Sequence, residues 1–345
     1  MTNYYGYGFP ANFRNLIDGG DFTVNPWQRG TAFTGIANTL TYTADRWFAV
    51  GGAASSISVS RAAVSAVLGF AQALQFGRAA ANTNTAVISL GQVLESADVY
   101  RLQGKQVTLS FWALAGANWS PVNGNLNVQL NTGTGVNEGS ASMIAGTWAG
   151  YQSRQLLPNQ SVAPAAGSNI AQPIAATWKQ YSFTGVVPTN ASELGIQLNA
   201  TPVGTAGAAD YIQIMGVQLE LGSAASVFEA RDIQVETEIC QRYAWVTPEP
   251  AAGVIVGSGM NTGAATQVFY MATPVQMFKA PTVTVTAGTF KTNQAGTATA
   301  TAITAGTTHT VNAISINGNS AGTAGQGTLL QGGGGAGSIV ASADL

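Results

Sequence analysis

Hydrophobic and polar side chains alternate along most of this chain. In residues 105–112, Val107, Leu109 and Phe111 share one phase and Thr108 and Ser110 the other. Leu126, Val128 and Leu130 alternate with Asn127 and Gln129, and Leu194, Ile196 and Leu198 alternate with Gly195 and Gln197. A period of two marks half-buried antiparallel strands with one polar face. Across residues 211–221 the apolar phase runs through Ile212 and Ile214, then shifts to Val217, Leu219 and Leu221. That shift beside Gly216 predicts a β-bulge. Many short strands separated by Gly, Asn and Pro turns predict an all-β fold, an antiparallel jelly-roll sandwich.

One segment has another period. Between Arg231 and Trp245, Val235, Ile239 and Tyr243 recur every four residues. Asp232 and Glu236 lie near its start and Arg242 near its end, as the helix dipole favours, and Glu238 and Arg242 are spaced as an i,i+4 pair. The pattern predicts a short linking helix within 231–247. It joins a jelly roll over 15–230 to a second, small β-rich domain over 248–345, with 1–14 as a separate N-terminal segment. In the second domain Thr, Ala and Gly dominate. Val283 and Val285 alternate with threonines, residues 298–304 favour extended backbone, and glycines 332–335 require a loop or a tight passage beside another backbone. From about residue 251 only Lys279, Lys291 and Asp344 carry side-chain charge. With so little charge to keep sheets apart, this domain is expected to pack against copies of itself as a homotrimer.

Composition narrows the function. The 345 residues include 13 basic and 15 acidic side chains, and charged residues make up 8%, against about 25% in an ordinary soluble domain. There is no basic cluster, so nucleic acid is not an expected partner. One histidine, His309, and one cysteine, Cys240, leave no set of Cys/His zinc ligands and no intramolecular disulfide. His309, in a Thr-rich run, reads as a packing or turn residue. The first ten residues have neither a basic n-region nor an apolar h-region, and no apolar run approaches the roughly 20 residues of a membrane span. The expectation is a soluble protein made in a cytoplasm, with no membrane insertion and no conventional catalysis.

Several motifs carry a family resemblance. Asn15-Leu-Ile-Asp-Gly-Gly-Asp-Phe-Thr-Val-Asn-Pro-Trp-Gln-Arg-Gly30 resembles the opening of a group of bacteriophage tail-fibre-like and minor virion structural proteins, and Tyr42-Thr-Ala-Asp-Arg-Trp47 resembles their next hallmark. Residues 104–113 and 177–183 are similar to strands of carbohydrate-binding-module-like jelly rolls. Residues 217–222 and 228–231 resemble the last strand and its exit, and Glu238-Ile-Cys-Gln-Arg-Tyr243 the junction helix. Pro274-Val-Gln-Met-Phe-Lys-Ala-Pro-Thr282 and the final Ala341-Ser-Ala-Asp-Leu345 resemble two tail motifs, with Phe278 and Lys279 where the pattern has an arginine. The resemblance implies a virion component, made in the host cytoplasm, with other virion proteins as partners. Three roles remain open: a tail fibre or spike meeting host glycan, a head decoration, cement or head-fibre protein, and a glycan-degrading tailspike enzyme.

The candidate residues follow. Sugars present C–H faces to aromatic rings, and Trp119, Trp148 and Tyr151 lie among Gly, Asn and Ser in predicted loops, so these are the candidate glycan contacts. Trp112 and Trp178 sit in strand-like runs and read as core. Asp45-Arg46-Trp47 offers either a ligand clamp or a structural Arg–carboxylate bond. Asp18 and Asp21 could supply oxygens to calcium, the one cofactor with candidate ligands, or could cap a turn. Nothing marks Glu95 and Asp98 as a glycosidase pair. The loop Gly253-Val-Ile-Val-Gly-Ser-Gly259 lacks the Lys-Ser/Thr of a nucleotide site. Tyr4, Tyr5, Tyr7 and Phe9 form an aromatic segment with no core of its own, which is expected to attach the chain to a neighbour.

Overall fold

The alternating segments form strands where their periodicity places them. Val107, Leu109 and Phe111 lie in the strand Gln106–Ala115, the second apolar set in Asn125–Gly133, and the third in Glu193–Ala200. All nine side chains are buried in one shared core, each contributing roughly 1.5–3 kcal/mol if the side chain leaves water completely. The computed structural model describes residues 14–52, 56–67, 69–155, 157–158, 171–286, 288–294 and 297–345. They divide into two units, one ending at Glu236 and carrying Leu345, the other spanning Thr237–Asp344. The attachment candidates Tyr4, Tyr5, Tyr7 and Phe9 lie outside the described residues.

The first unit is a sandwich of two antiparallel sheets. One runs in the order Ala32–Ile36, Ile57–Val67, Phe70–Arg78, Tyr211–Leu221, Gln106–Ala115, Lys179–Val186, Leu157–Pro158. The other runs Ala171–Pro173, Asn125–Gly133, Glu193–Ala200, Ile88–Val93, Phe48–Val50, Thr41–Tyr42, with Gln152–Gln155 also pairing to Asn125–Gly133. The expected bulge is present. The register of Tyr211–Leu221 against Gln106–Ala115 slips between Met215 and Gln218, and Gly216 has φ +58°.

Two buried charge clusters tie the sandwich together. The carboxylate of Asp18 lies between two guanidiniums, 3.2 Å from Arg46 Nε and 3.3 Å from Arg231 Nη1. Arg46 also donates to Val93 O, and Arg231 bonds Glu236 at 3.3 Å and the backbone oxygen of Asn15. Glu236 accepts from the backbone N–H of Gly19, and Trp47 Nε1 donates to Gly19 O. Burial pushes the Glu236 carboxyl up, with Arg231 pulling it back down. The second cluster pairs Arg78 with Asp210 at 2.8 Å. Arg78 also donates to the carbonyls of Asn84, Val203 and Gly204, while Asp210 accepts from Ser120 N, so three loops are held by one ion pair. The Asp45-Arg46-Trp47 motif is therefore structural, with the arginine bonded to Asp18 and Asp45 standing 3.6 Å from Arg29.

The linking segment departs from expectation at its end. The helix spans Ile233–Gln241, with Ile239 buried and Val235 half-buried on its apolar stripe. Residues 244–247, predicted within the link, instead belong to the strand Ala244–Pro248, paired with Ser338–Ser342. Trp245, Val246 and Thr247 favour extended backbone, and a partner strand far along the chain realises that preference.

The second unit contains a three-stranded sheet, Ala244–Pro248, Ser338–Ser342, Thr282–Thr286, and a seven-stranded sheet with Gly327–Gln331, Ile255–Gly263 and Thr266–Ala272 at its centre. Phe269, Phe290, Ile314, Ile316, Leu330 and Ile339 fill its core. The glycine run is the tight passage its sequence requires: a Cβ on Gly333 would stand 1.7 Å from Thr289 O. Those glycines also expose their N–H groups to Glu249, whose carboxylate accepts from Gly333 N, Gly337 N, Thr289 N and Thr289 Oγ1. Burial would raise this carboxyl, but the hydrogen bonds outweigh it and lower the pKa from 4.5 to about 2. His309 accepts at Nδ1 from Ser315 N, a turn contact as read from sequence.

Glu249 gives a testable consequence. Its stabilisation is complete above about pH 4.5 and is lost as pH falls through about 2. Glu249→Gln should destabilise the second unit by about 3 kcal/mol at pH 7. Thermal melts at pH 7 and pH 2.5 should show the wild-type advantage shrinking in acid, and an equal deficit at both would contradict the assignment.

Candidate functional site

The three loop aromatics singled out from sequence do not form one site. Trp148 is 2% exposed, and its Nε1 donates to Gly139 O. Trp119 is half-buried against the sandwich core and donates to Gly124 O. Tyr151 is half-buried, with its ring 6.3 Å from Trp148 in edge contact and its phenol pushed up by burial. Trp119 caps the start of the nine-residue strand Asn125–Gly133, and Trp148 packs at its end against Gly133. A strand of that length separates them by roughly 30 Å. Trp148, a loop residue in the sequence, is instead buried: Gly133 lets its backbone side approach closely, with a Cβ there meeting Trp148 Cβ at 3.1 Å, and its indole bonds Gly139 O.

The calcium expectation does not fit either. Both arginines around Asp18 already neutralise its carboxylate, and a cation there would have to displace them. Asp21 turns away to accept from Thr23 N, while its backbone oxygen accepts from Val24 N and Asn25 N in a tight turn. Burial raises the Asp21 carboxyl against the lowering hydrogen bonds from Thr23 and Val24. Among the described residues no group of three or more His, Cys, Asp or Glu side chains is arranged to hold a metal.

An aromatic groove lies on the outward face of the first sheet. Alternation puts Thr108, Ser110 and Trp112 opposite the core phase of their strand. Trp112 stands in register between Met215 on one side and Gln180 on the other. Met215, Phe70 and Ala73 form a small buried cluster under half-covered Trp112, Trp178 and Phe228. The bulge makes room for it, because a Cβ on Gly216 would meet the Phe70 ring at 2.5 Å. Phe70 and Phe228 meet edge to face at 5.2 Å.

The polar residues of that same face hold the groove's wall. Glu220 accepts from Ser226 N, Ser226 Oγ and Gln218 Nε2, and Gln218 Oε1 accepts from Glu229 N. The segment after Leu221 is thereby laid along the sheet, bringing Phe228 to Phe70. The result is an open groove of about 490 Å³ lined by Phe70, Trp112, Gln180, Ser226, Phe228 and Asp21, among others. Its rings offer flat apolar platforms; its amide, hydroxyl and carboxylate offer directed hydrogen bonds. Sequence reading assigned Trp112 and Trp178 to the core. The missed signal is phase: Trp112 falls in register with Thr108 and Ser110, not with Phe111.

Glu220→Ala should remove the acceptor of Ser226 N, Ser226 Oγ and Gln218 Nε2 and cost about 3 kcal/mol. Urea denaturation would measure that loss, and limited proteolysis should cut within 223–228 faster than in the wild type.

No family model and no curated protein sequence matches the chain. Among solved structures it is similar to the enzymatically active domain of bacteriophage CBA120 tailspike protein 4, at 14% identity and TM-score 0.33, covering 61% of this chain and 22% of that one. It is also similar to a CBM4 structure (18% identity, TM-score 0.26, covering 48% of this chain and 78% of that one). A third likeness is to the N-terminal tandem CBM22 domain of Paenibacillus barcinonensis Xyn10C (13% identity, TM-score 0.32, covering 89% and 97%). These are likenesses of all-β architecture, and at such identities and TM-scores they carry no argument about function.

Proposed function

We propose that this chain is a structural protein of a bacteriophage particle, a fibre or spike component that meets a host-surface glycan through the aromatic groove. The observation that carries the reading is that the residues behind the sequence resemblance act together. Asn15 and Asp18 of the first motif, Arg46 and Trp47 of the second, Arg231 at the strand exit and Glu236 beside the junction all belong to one buried knot. In the second unit Arg242 of the junction motif lies over the ring of Phe278 at 5.6 Å, and Lys279 donates to Asp344 O. Motifs that bond to one another behave as the signature of one fold, which favours a common origin over separate coincidences.

The groove supports the glycan part. Stacking rings flanked by an amide and a hydroxyl suit a neutral sugar face, and Asp21 is the one carboxylate among its lining residues, where glycoside hydrolysis uses two. The groove's lining therefore favours binding over glycoside hydrolysis at this place. Val254, Ile255, Met260 and Tyr270 of the second unit are about half exposed, at 49–57%, and support the homotrimer as surface that neighbours would cover.

Host polysaccharide immobilised on a sensor should bind the purified chain, and Trp112→Ala should weaken binding at least tenfold with the oligomer intact; equal binding would remove the groove from the reading. Antibody-labelled particles in negative stain should carry label on the tail, whereas label on the head would support a decoration protein instead. Sedimentation equilibrium should return three protomer masses, and a monomer would end the trimer proposal.

A further inference from the structure

At one end of the sandwich, segment 134–151 folds back over the second sheet and carries the helix Gly139–Ala145 with Trp148. Two glycines let it seat. A Cβ on Gly195 would meet Met143 Sδ at 2.3 Å, and a Cβ on Gly133 would meet Trp148 Cβ at 3.1 Å. Beneath this cover lies Glu193, 1% exposed, at the start of its strand and in register with Gly133. Glu193 Oε1 accepts from Glu138 N at 2.6 Å. Glu193 Oε2 is buried and has no donor. Glu138 is exposed, and its Oε2 accepts from Ala149 N at 2.7 Å, so its carboxylate is held to the far end of the same segment.

We propose that Glu138 and Glu193 share a single proton, and that this proton latches segment 134–151 onto the end of the sandwich. A buried carboxylate oxygen without a donor is costly, and a second carboxylate beside it raises the cost. One proton on Glu193 removes the buried charge, turns Oε2 into a donor and lets Glu138 accept. Burial first, and then the Glu138 carboxylate, raise Glu193 from 4.5 to about 7 against the lowering backbone hydrogen bonds of Glu138 and Gly135. Other titratable groups on the surrounding elements are Glu95, next to the Ser96 that bonds Asn137, Asp98, paired with Arg101 and raised by burial to about 6, and Tyr151 against Trp148. Arg154 is paired in register with Leu130.

The sign follows from linkage. Glu193 binds its proton more tightly when the segment is closed, so the latch is complete below about pH 4.5 and is lost as pH rises through about 7. This differs from the ordinary acid lability of a salt-bridged carboxylate: here acid closes and neutral pH loosens. On a particle moving between acidic and neutral surroundings, the segment would change its exposure without the rest of the sandwich unfolding.

Hydrogen exchange of the full chain between pH 5 and 8, corrected for intrinsic rates, tests this. Protection of residues 134–151 should fall about tenfold per pH unit between pH 5 and 7 and level off by pH 8, while strand Gln106–Ala115 stays constant. Glu193→Gln imitates the protonated acid and should make protection independent of pH, above wild type at pH 8. Glu138→Gln, at an exposed position, removes the second carboxylate but not the burial of Glu193, so it should make the fall in protection shallower without abolishing it. A flat wild-type profile overturns the proposal, as does unchanged pH dependence in Glu138→Gln. Recovery of wild-type protection at pH 8 on adding millimolar calcium chloride would also overturn it, by showing that a cation rather than a proton sits between the carboxylates.

Discussion

The sandwich depends on one buried carboxylate. Asp18 is wedged between Arg46 and Arg231, and those two arginines reach Val93, Asn15 and Glu236. Two acids and two bases cancel in net charge, so the cluster avoids the isolated buried ion that a low-dielectric interior forbids. Its members come from the opening segment, the turn between the paired strands Thr41–Tyr42 and Phe48–Val50, and the exit from the last strand of the sandwich with the helix that follows. Removing one partner would leave an unpaired charge under the sheets, a loss of about 3–5 kcal/mol. The location of the exit segment follows from this anchor at Arg231, and the groove follows from the exit segment.

A chain with few charges uses several of them in this enclosed way. Arg78 and Asp210 gather three loops, Glu220 lays the exit segment on the sheet, and Glu249 gathers the glycine passage of the second unit. Elsewhere amides do the work of charges. On the outward face of the second sheet Asn127 donates to Asn199, Asn131 to Gln197, and Gln197 to Ser89. Such ladders keep a sheet face polar without the mutual repulsion of like charges.

The groove shows how packing makes a surface useful. The bulge at Gly216 is a break in the apolar phase, and its missing side chain is the space that Phe70 occupies. Phe70 in turn meets Phe228, which is delivered by the Glu220 contacts. Trp112 stays half covered because the strand that carries it faces outward there. A glycine, an acid and three rings from separate parts of the chain thus define one site, and each has a reason to be where it is.

Sequence alone determined the features whose cause is local. Strand phases, the bulge beside Gly216, the helix stripe through Val235 and Ile239, and the glycine passage at 332–335 follow from side-chain period and backbone freedom, which act over a few residues. Tertiary structure decided whatever depends on a partner far along the chain. Arg46 bonds Asp18, 28 residues before it in the chain, because the turn at Gly19 brings the two together. Residues 244–248 became a strand because Ser338–Ser342 lies alongside. Trp148 went inside because Gly133 let it approach closely, while Trp112, legible as outward by its phase, became part of a groove only when residues 223–230 were laid beside it. Local periodicity reports which face a side chain takes; what waits on that face is set by contacts that no short window of sequence contains.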